Sequence, residues 1–326
     1  MKAVVYEKYG SPDVLQLKEV EKPVPKDNEV LIKVYAVSIN DWDWQLLQGI
    51  PFVNRMINGL LKPNKKILGS DIAGRVEAVG KNVKKFKTGE DVFGDLSGKW
   101  GGFAEYACAG ENMLAIKSPV ITFEEAAAIP QAGMLAVQGL IDKGHISKGQ
   151  KLLINGAGGG VGTYGLQIAK LYDMEVTGVD NSGKLEFMRS LGFDHAIDYT
   201  REDFTNNSKL YDLILDVKTN RSIFKYIKAL KPNGIFITVG GSTIRLLQVF
   251  LFKPLIKLLY KKNVCVVALK QNKDLDYFTR LLETGKLRPV IDSSFSLNEI
   301  PKALKLFGEG NQKGKIVITV DHVQKT

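Results

Sequence analysis

The residues whose types and spacing most clearly predict chemistry are glycines in one short turn. Lys151–Asn155 is an apolar, strand-like run that leads into the turn, and a helix is predicted over 163–171. The glycines are Gly156, Gly158, Gly159, Gly160 and Gly162. Glycines let backbone N–H groups approach a phosphate without a Cβ in the way, and the positive end of a helix attracts it. The pattern favours binding of a dinucleotide pyrophosphate, although Ala157 occupies the first glycine position of the usual motif.

An acidic residue further along the chain supports this interpretation over a purely structural turn. A second strand is predicted over 175–179, and Asp180 follows it, 18 residues after Gly162. An acidic side chain at this point accepts hydrogen bonds from the ribose hydroxyls, which favours NADH. The residues that we expect to contact the pyrophosphate are Gly159, Gly160, Val161 and Gly162.

The elements around this turn define the fold class. Further strands are predicted to begin at His195, Leu213 and Ile235, with a helix over 184–191, and such alternation is typical of a doubly wound parallel sheet. The rest of the chain has short β segments separated by glycine and proline. We therefore predict an α/β protein. Its predicted domains are a β domain over 1–120, a nucleotide-binding domain over 121–290, and a return to the first domain over 291–326.

Composition excludes several classes of protein. The chain has 326 residues, of which 44% are apolar and 25% charged, and this suits two globular domains. Two cysteines are too few for a disulfide scaffold or a thiolate zinc site. The net charge of +10 comes from scattered lysines without an arginine and aromatic patch, so we predict no nucleic-acid partner. The strand-like N-terminus has no signal-peptide core, and we expect a cytoplasmic location.

The chain resembles the medium-chain dehydrogenase/reductase superfamily, and within it the zinc-independent quinone oxidoreductase-like branch. The matching segments are residues 1–5, 30–40, 68–80, 101–106, the glycine turn and 314–317. The resemblance implies a GroES-like β domain, a Rossmann domain and a cofactor cleft between them. It also implies an NAD(P)H cofactor, and we expect a homodimer.

Departures from the zinc-dependent members predict that this protein binds no metal. Asn40 stands where those members have a cysteine, and Gly69-Ser70-Asp71 stands where they have Gly-His-Glu. An amide and a hydroxyl are poor substitutes for the thiolate and imidazole of a catalytic zinc site. The four-cysteine loop of the structural zinc site is also missing.

Without zinc, the favoured reaction is hydride transfer to a quinone or an α,β-unsaturated carbonyl. Such an electrophilic acceptor delocalises the incoming charge onto its own oxygen. The oxidation of a simple alcohol, by contrast, depends on a Lewis acid such as zinc. One alternative is an aldehyde or ketone reductase on the same scaffold. Another is a weakly active nicotinamide-binding protein with a membrane-associated or regulatory role.

Positions carried over from the family supply the candidate catalytic residues. Asn40 is either a hydrogen-bond donor to the acceptor or a cap for the helix that follows, and Asp43 is either catalytic or orients the same helix. Trp42, Trp44 and Trp100 form either an aromatic wall or part of the core. The tyrosine and threonine that the family often has near Gln45 and Leu135 are missing. The proton donor is therefore unassigned, and water is a candidate.

The resemblance also implies further cofactor contacts. Ser182 and Lys184 match residues that hold a 2′-phosphate in relatives, which leaves NADPH open as the cofactor. The alternative for Lys184 is a purely structural role in the first turn of a helix. Three residues after the fifth strand match the nicotinamide site, namely Val239, Gly240 and Gly241. Lys315 is either a cofactor contact or a solvated hairpin lysine.

Two apolar segments, 50–61 and 244–262, have no role in this scheme. The second carries basic residues and Pro254, and these interrupt it too often for a transmembrane helix. We consider three interpretations for the pair, which are an apolar lid, a subunit interface, and a weak contact with a membrane surface.

Overall fold

A computed structural model describes residues 1–206 and 210–322 and divides the chain into two compact units. The first unit comprises Met1–Gln131 and the described residues from Gln271 onwards, and the second comprises Ala132–Lys270. The second unit is shorter at both ends than the predicted range 121–290. One reason is that the Phe123 ring stacks on Tyr35 of the first unit, with ring centroids 4.6 Å apart.

Strands predominate in the first part of the chain, and strands and helices mostly alternate from Lys151 onwards. In chain order the strands are β1 (Lys2–Val5), β2 (Gln16–Glu19), β3 (Glu29–Ser38), β4 (Asp71–Val79), β5 (Asp91–Asp95), β6 (Tyr106–Gly110), β7 (Ala115–Ile116), β8 (Lys151–Asn155), β9 (Glu175–Asp180), β10 (His195–Asp198), β11 (Tyr211–Asp216), β12 (Leu230–Thr238), β13 (Asn263–Val266), β14 (Ile291–Ser296) and β15 (Lys315–Thr319). The helices are α1 (Asp41–Gln48), α2 (Val53–Asn58), α3 (Phe123–Ala127), α4 (Pro130–Val137), α5 (Gly160–Lys170), α6 (Leu185–Leu191), α7 (Ile223–Ala229), α8 (Thr243–Tyr260), α9 (Leu275–Glu283) and α10 (Ile300–Glu309).

The first unit is built on a mostly antiparallel sheet in the order β14-β15-β3-β4-β5-β7, with β6 also paired to β3. The long strand β3 lies inside this sheet, and its valine and isoleucine side chains are buried. The register of β3 against β15 pairs Ser38 with Val317. This register brings the residues after β3 beside the start of β15, which decides the composition of the site described below.

The second unit contains a parallel sheet in the order β10-β9-β8-β11-β12-β13. Numbered from β8, this is the 3-2-1-4-5-6 order of a doubly wound nucleotide-binding sheet. The predicted Rossmann architecture is therefore confirmed. In such a sheet ligands bind outside the carboxyl ends of the strands, where the strand order reverses, and here that point lies between β8 and β11.

Candidate functional site

The glycine turn joins β8 to α5 in the second unit. Gly156 has a φ of +88°, a conformation that glycine adopts without a Cβ penalty. A Cβ on Gly162 would lie 2.4 Å from the carbonyl oxygen of Ala157, so only glycine lets the first helical turn pack this closely on the loop. Helix α5 begins at Gly160, three residues before the predicted start, because the glycines themselves form its first turn. The predicted phosphate contacts therefore lie at a helix N-terminus, with Gly159 as its N-cap.

Asp180 is held against this turn by three neighbours. The Gly158 N–H donates to Asp180 Oδ2 over 2.9 Å, and the Asn181 N–H donates to Oδ1 over 2.9 Å. The Lys184 amino group lies 3.6 Å from Oδ1, and both side chains are buried. Ser182, by contrast, is exposed. The structure thus brings Asp180 and Lys184 together as an ion pair beside the glycine turn.

The loop after β12 contains the other predicted cofactor contacts, Val239, Gly240 and Gly241. The Gly240 carbonyl accepts hydrogen bonds from the hydroxyls of Thr238 and Thr219. Gly241 has a φ of +111°, and a Cβ there would lie 2.7 Å from a backbone oxygen of the loop after β11. These contacts fix the loop at the carboxyl edge of the sheet.

Sequence reasoning missed a buried polar cluster at the same edge. Asn155 Nδ2 donates to Asp216 Oδ1 over 2.8 Å, and the Thr219 N–H donates to the same oxygen over 3.0 Å. Burial raises the pKa of Asp216 above its ordinary value. The sequence contains a signal for this cluster, because polar residues end three strands that are adjacent in the sheet. These residues are Asn155, Asp216 and Thr238.

In the first unit, Asn40 and Asp43 lie at the start of α1. Asp43 Oδ2 accepts from the Asn40 N–H over 2.9 Å, and Oδ1 accepts from the Gly69 N–H over 2.9 Å. Asp43 thereby ties α1 to the loop that precedes β4. Burial raises the pKa of its carboxyl group to about 7, although both backbone hydrogen bonds oppose this.

The Asn40 side chain is fixed by Lys315. Lys315 Nζ donates to Asn40 Oδ1 over 2.5 Å and to the Ile39 carbonyl over 3.0 Å, while Asn40 Nδ2 lies 3.3 Å from Ser70 Oγ. An ammonium group has no acceptor, so the amide oxygen must face Lys315 and the NH2 group must face Ser70. Lys315 is only 5% exposed, and the solvated hairpin alternative is therefore wrong.

Three buried carboxyl groups, those of Asp43, Asp71 and Asp95, act electrostatically on this ammonium group. Asp71 Oδ2 lies 3.9 Å from Lys315 Nζ and accepts from the Gln131 N–H over 3.0 Å. Burial raises the pKa of Asp71 to about 8, and it also raises the pKa of Asp95. Burial lowers the pKa of Lys315, and the charges of the three carboxylates oppose that lowering. The cluster therefore contains one buried ammonium group and three carboxyl groups, and the single positive charge cannot neutralise three ionised carboxylates.

This donor set does not fit a divalent metal. Asn40 and Ser70 occupy two former ligand positions, and the Asn40 oxygen already accepts from a cationic group that would repel a metal ion. Across residues 1–206 and 210–322, no three His, Cys, Asp or Glu side chains are grouped so that they could hold a metal ion. The absence of metal remains a prediction for measurement.

Two of the three tryptophans lie together. The rings of Trp42 and Trp100 have centroids 6.3 Å apart, and Trp42 is half exposed. Trp44 instead packs on Gly308, where a Cβ would lie 2.2 Å from its ring. Trp42 and Trp100 thus lie together, but Trp100 is itself buried in the core of the first unit, and Trp44 is partly buried against the same core.

Comparison with known proteins agrees with this architecture. Residues 26–119 match the model of the alcohol dehydrogenase GroES-like domain, and residues 191–318 match that of the zinc-binding dehydrogenase family. The predicted GroES-like and Rossmann domains are thus confirmed.

Whole-length relatives narrow the assignment. The chain is 34% identical to quinone-oxidoreductase QR1, chloroplastic, of Triphysaria versicolor, over 98% of each protein. It is 32% identical to the NADPH-dependent alkenal/one oxidoreductase, chloroplastic, of Arabidopsis thaliana, over 98% of this chain and 79% of that protein. The solved quinone oxidoreductase of Coxiella burnetii superposes with a TM-score of 0.86 at 29% identity, covering 98% of this chain and 99% of that one. The chain belongs to the medium-chain dehydrogenase/reductase superfamily, in its zinc-independent quinone oxidoreductase-like branch.

Proposed function

We propose that this protein uses NAD(P)H to reduce quinones or α,β-unsaturated carbonyl compounds. The observation that carries the proposal is the Asn40 amide, which Lys315 holds in one orientation at a former metal-ligand position. The names of the relatives, a quinone oxidoreductase and an alkenal/one oxidoreductase, support the same acceptor class.

The second unit supplies the residues that would hold the cofactor. When bound, a reduced nicotinamide supplies the hydride. The N-terminus of α5 presents Gly159, Gly160, Val161 and Gly162, which fit a pyrophosphate because no side chain but that of Val161 intervenes. The loop of Val239, Gly240 and Gly241 would position the nicotinamide end.

Asn40 is the proposed hydrogen-bond donor to the acceptor. Its NH2 group has two hydrogens, and one of them is directed at Ser70. The other would stabilise the oxyanion that forms as a conjugated acceptor takes up hydride. We propose that Lys315 positions this amide, in place of the predicted cofactor contact. The proton would come from water.

The test is steady-state oxidation of NADH and NADPH against four acceptors, which are a benzoquinone, a naphthoquinone, an aliphatic enone and a simple aldehyde. We expect turnover with the quinones or the enone and the same rates with and without a chelator. Loss of turnover with chelator would contradict the metal-free reaction. Turnover confined to the aldehyde would favour the carbonyl reductase, and tight cofactor binding without any turnover would favour the regulatory role.

NADH is the cofactor that we propose as preferred, with NADPH as a second substrate. The Asp180 carboxylate disfavours a 2′-phosphate by charge repulsion, but Lys184 lies beside it and partly neutralises that charge. Because these two charges oppose each other, we expect only a modest preference for NADH over NADPH.

Replacing Asp180 by serine is expected to raise the ratio of NADPH to NADH kcat/KM by about tenfold. A tenfold change corresponds to about 1.4 kcal/mol, which is below the Coulomb energy of an unpaired charge because Lys184 screens it. Asp180→Asn keeps an acceptor for the Gly158 N–H and should move the ratio in the same direction. Lys184→Met should move it the opposite way. An unchanged ratio in the first two variants would refute the role of Asp180.

Two further predicted partners, a second copy of the chain and a membrane, would contact the protein surface. We propose a homodimer and a weak contact between residues 244–262 and a membrane surface. The helices of the described residues include none that is long and apolar enough to cross a membrane. The cytoplasmic location stays a prediction.

A further inference from the structure

Helix α8 has a wide apolar face that the rest of the described chain leaves uncovered. Its inner face is formed by Val249 and Ile256, which are buried, and by Phe252, whose ring lies 5.2 Å from that of Phe224. The large exposed apolar side chains are Ile244, Leu247, Phe250, Leu251, Leu255, Leu258, Leu259 and Tyr260. Leu258 alone is 76% exposed.

All of these side chains except that of Tyr260 lie on one side of the helix. At about 100° per residue, Leu247, Leu251 and Leu258 fall on one line, opposite the buried Val249 and Ile256. Isolated exposed leucines are ordinary on protein surfaces, but a stripe along a whole helix marks an interaction surface.

All of the charged residues in the same segment are basic. Between residues 243 and 262 the basic residues are Arg245, Lys253, Lys257, Lys261 and Lys262, and there is no aspartate or glutamate. Lys253, Lys257 and Lys261 recur every four residues and are exposed. Helical spacing places Lys253 and Lys257 along one flank of the apolar stripe, and Lys261 follows directly after the helix ends at Tyr260. An apolar stripe with a basic flank matches a surface that is apolar inside and anionic at its edge.

We propose that α8 lies flat on an anionic lipid bilayer, with its leucines in the boundary between headgroups and acyl chains and its lysines at the phosphates. This deepens the proposed membrane contact and does not depend on the reductase activity. A second copy paired through α8 with the two helices antiparallel would bring two identical basic flanks to the same side of the interface, which like-charge repulsion disfavours. The bilayer is therefore the occupant that the charges favour.

The test is co-sedimentation of the full chain with vesicles of phosphatidylcholine alone or mixed with phosphatidylglycerol. One variant is Lys253→Gln/Lys257→Gln/Lys261→Gln, and another is Leu247→Ser/Leu251→Ser/Leu258→Ser. The control Lys84→Gln/Lys85→Gln/Lys87→Gln removes the same charge from exposed lysines elsewhere. We expect binding to the anionic vesicles that weakens at high salt, and about 100-fold weaker partition of the lysine variant. The leucine variant should also bind more weakly, and the control should bind as the wild type does.

Several outcomes would overturn the proposal. They are no binding of the wild type at low salt, equal binding to neutral and anionic vesicles, and an equal loss in the control. Sedimentation velocity adds another, because a leucine variant that dissociates a dimer but still binds vesicles would identify a second copy as the occupant. Turnover with a water-soluble benzoquinone should be unchanged in all variants. If the wild type lacks turnover, the proposed reaction fails while the vesicle result stands.

Discussion

Replacing Lys315 by methionine is expected to lower kcat/KM for quinone reduction by about 100-fold, with little change in NAD(P)H affinity. The ammonium group is what holds the Asn40 oxygen in place, and methionine offers no donor. The Asn40 amide would then be free to rotate its NH2 group away from the acceptor. Loss of one oxyanion donor typically costs about 10²- to 10³-fold in rate. Steady-state kinetics and a fluorescence titration of the cofactor measure the two effects separately.

The control separates positioning from damage to the fold. Lys315→Met removes the cation beside Asp71, so ionisation of this buried carboxyl group would then cost about 3–5 kcal/mol of stability. The variant Lys315→Met/Asp71→Asn removes both charges and should fold while still turning over slowly. Asn40→Leu should lose activity to a similar extent, and combining it with Lys315→Met should add little further loss. Full activity in the doubly neutralised protein would refute the positioning role.

The free energy of unfolding is expected to fall as the pH rises from about 5 to about 9, by on the order of a few kcal/mol. Burial raises the pKa of Asp43 to about 7 and that of Asp71 to about 8, from an ordinary value of 3.8. Over this range these two carboxyl groups keep protons in the folded protein that they lose in the unfolded chain. The lowered pKa of His322 acts with the opposite sign in the acidic part of the range. The contribution of these carboxyl groups to the free energy of unfolding is therefore fully present below their unfolded pKa. It is lost as the pH rises through their folded pKa. Asp95 contributes with the same sign, whereas the lowered pKa of Lys315 acts with the opposite sign in alkaline solution.

Replacing Asp71 by asparagine should flatten this dependence. Asparagine keeps an acceptor for the Gln131 N–H but cannot ionise, so the variant releases one proton fewer across the range. Urea unfolding at three pH values between 5 and 9 gives the slope. Asp27→Asn, at a well-exposed carboxyl group, is the matched control and should unfold like the wild type. An identical slope for Asp71→Asn and wild type would show that Asp71 is already ionised in the folded protein.

Local patterns determined much of the second unit. The glycine turn, the acid after the second strand and the alternation of strands with helices depend on neighbouring residues, and all three lie where the sequence predicts them. The chemistry of glycine explains this, because a tight turn and a close helix contact restrict the residue type directly. The start of α5 was missed because glycine is normally a weak signal for a helix.

The partners of the polar side chains were decided by tertiary structure. The sequence identified Asn40 and Lys315 separately, but the register of β3 against β15 brings them together across most of the chain's length. The same holds for Asn155 and Asp216, which meet because β8 and β11 are neighbours in the sheet. The sequence alone therefore determined the fold class, the cofactor turn and the family. Strand order and register decided which side chains share a site, because they set contacts between residues that no local pattern links.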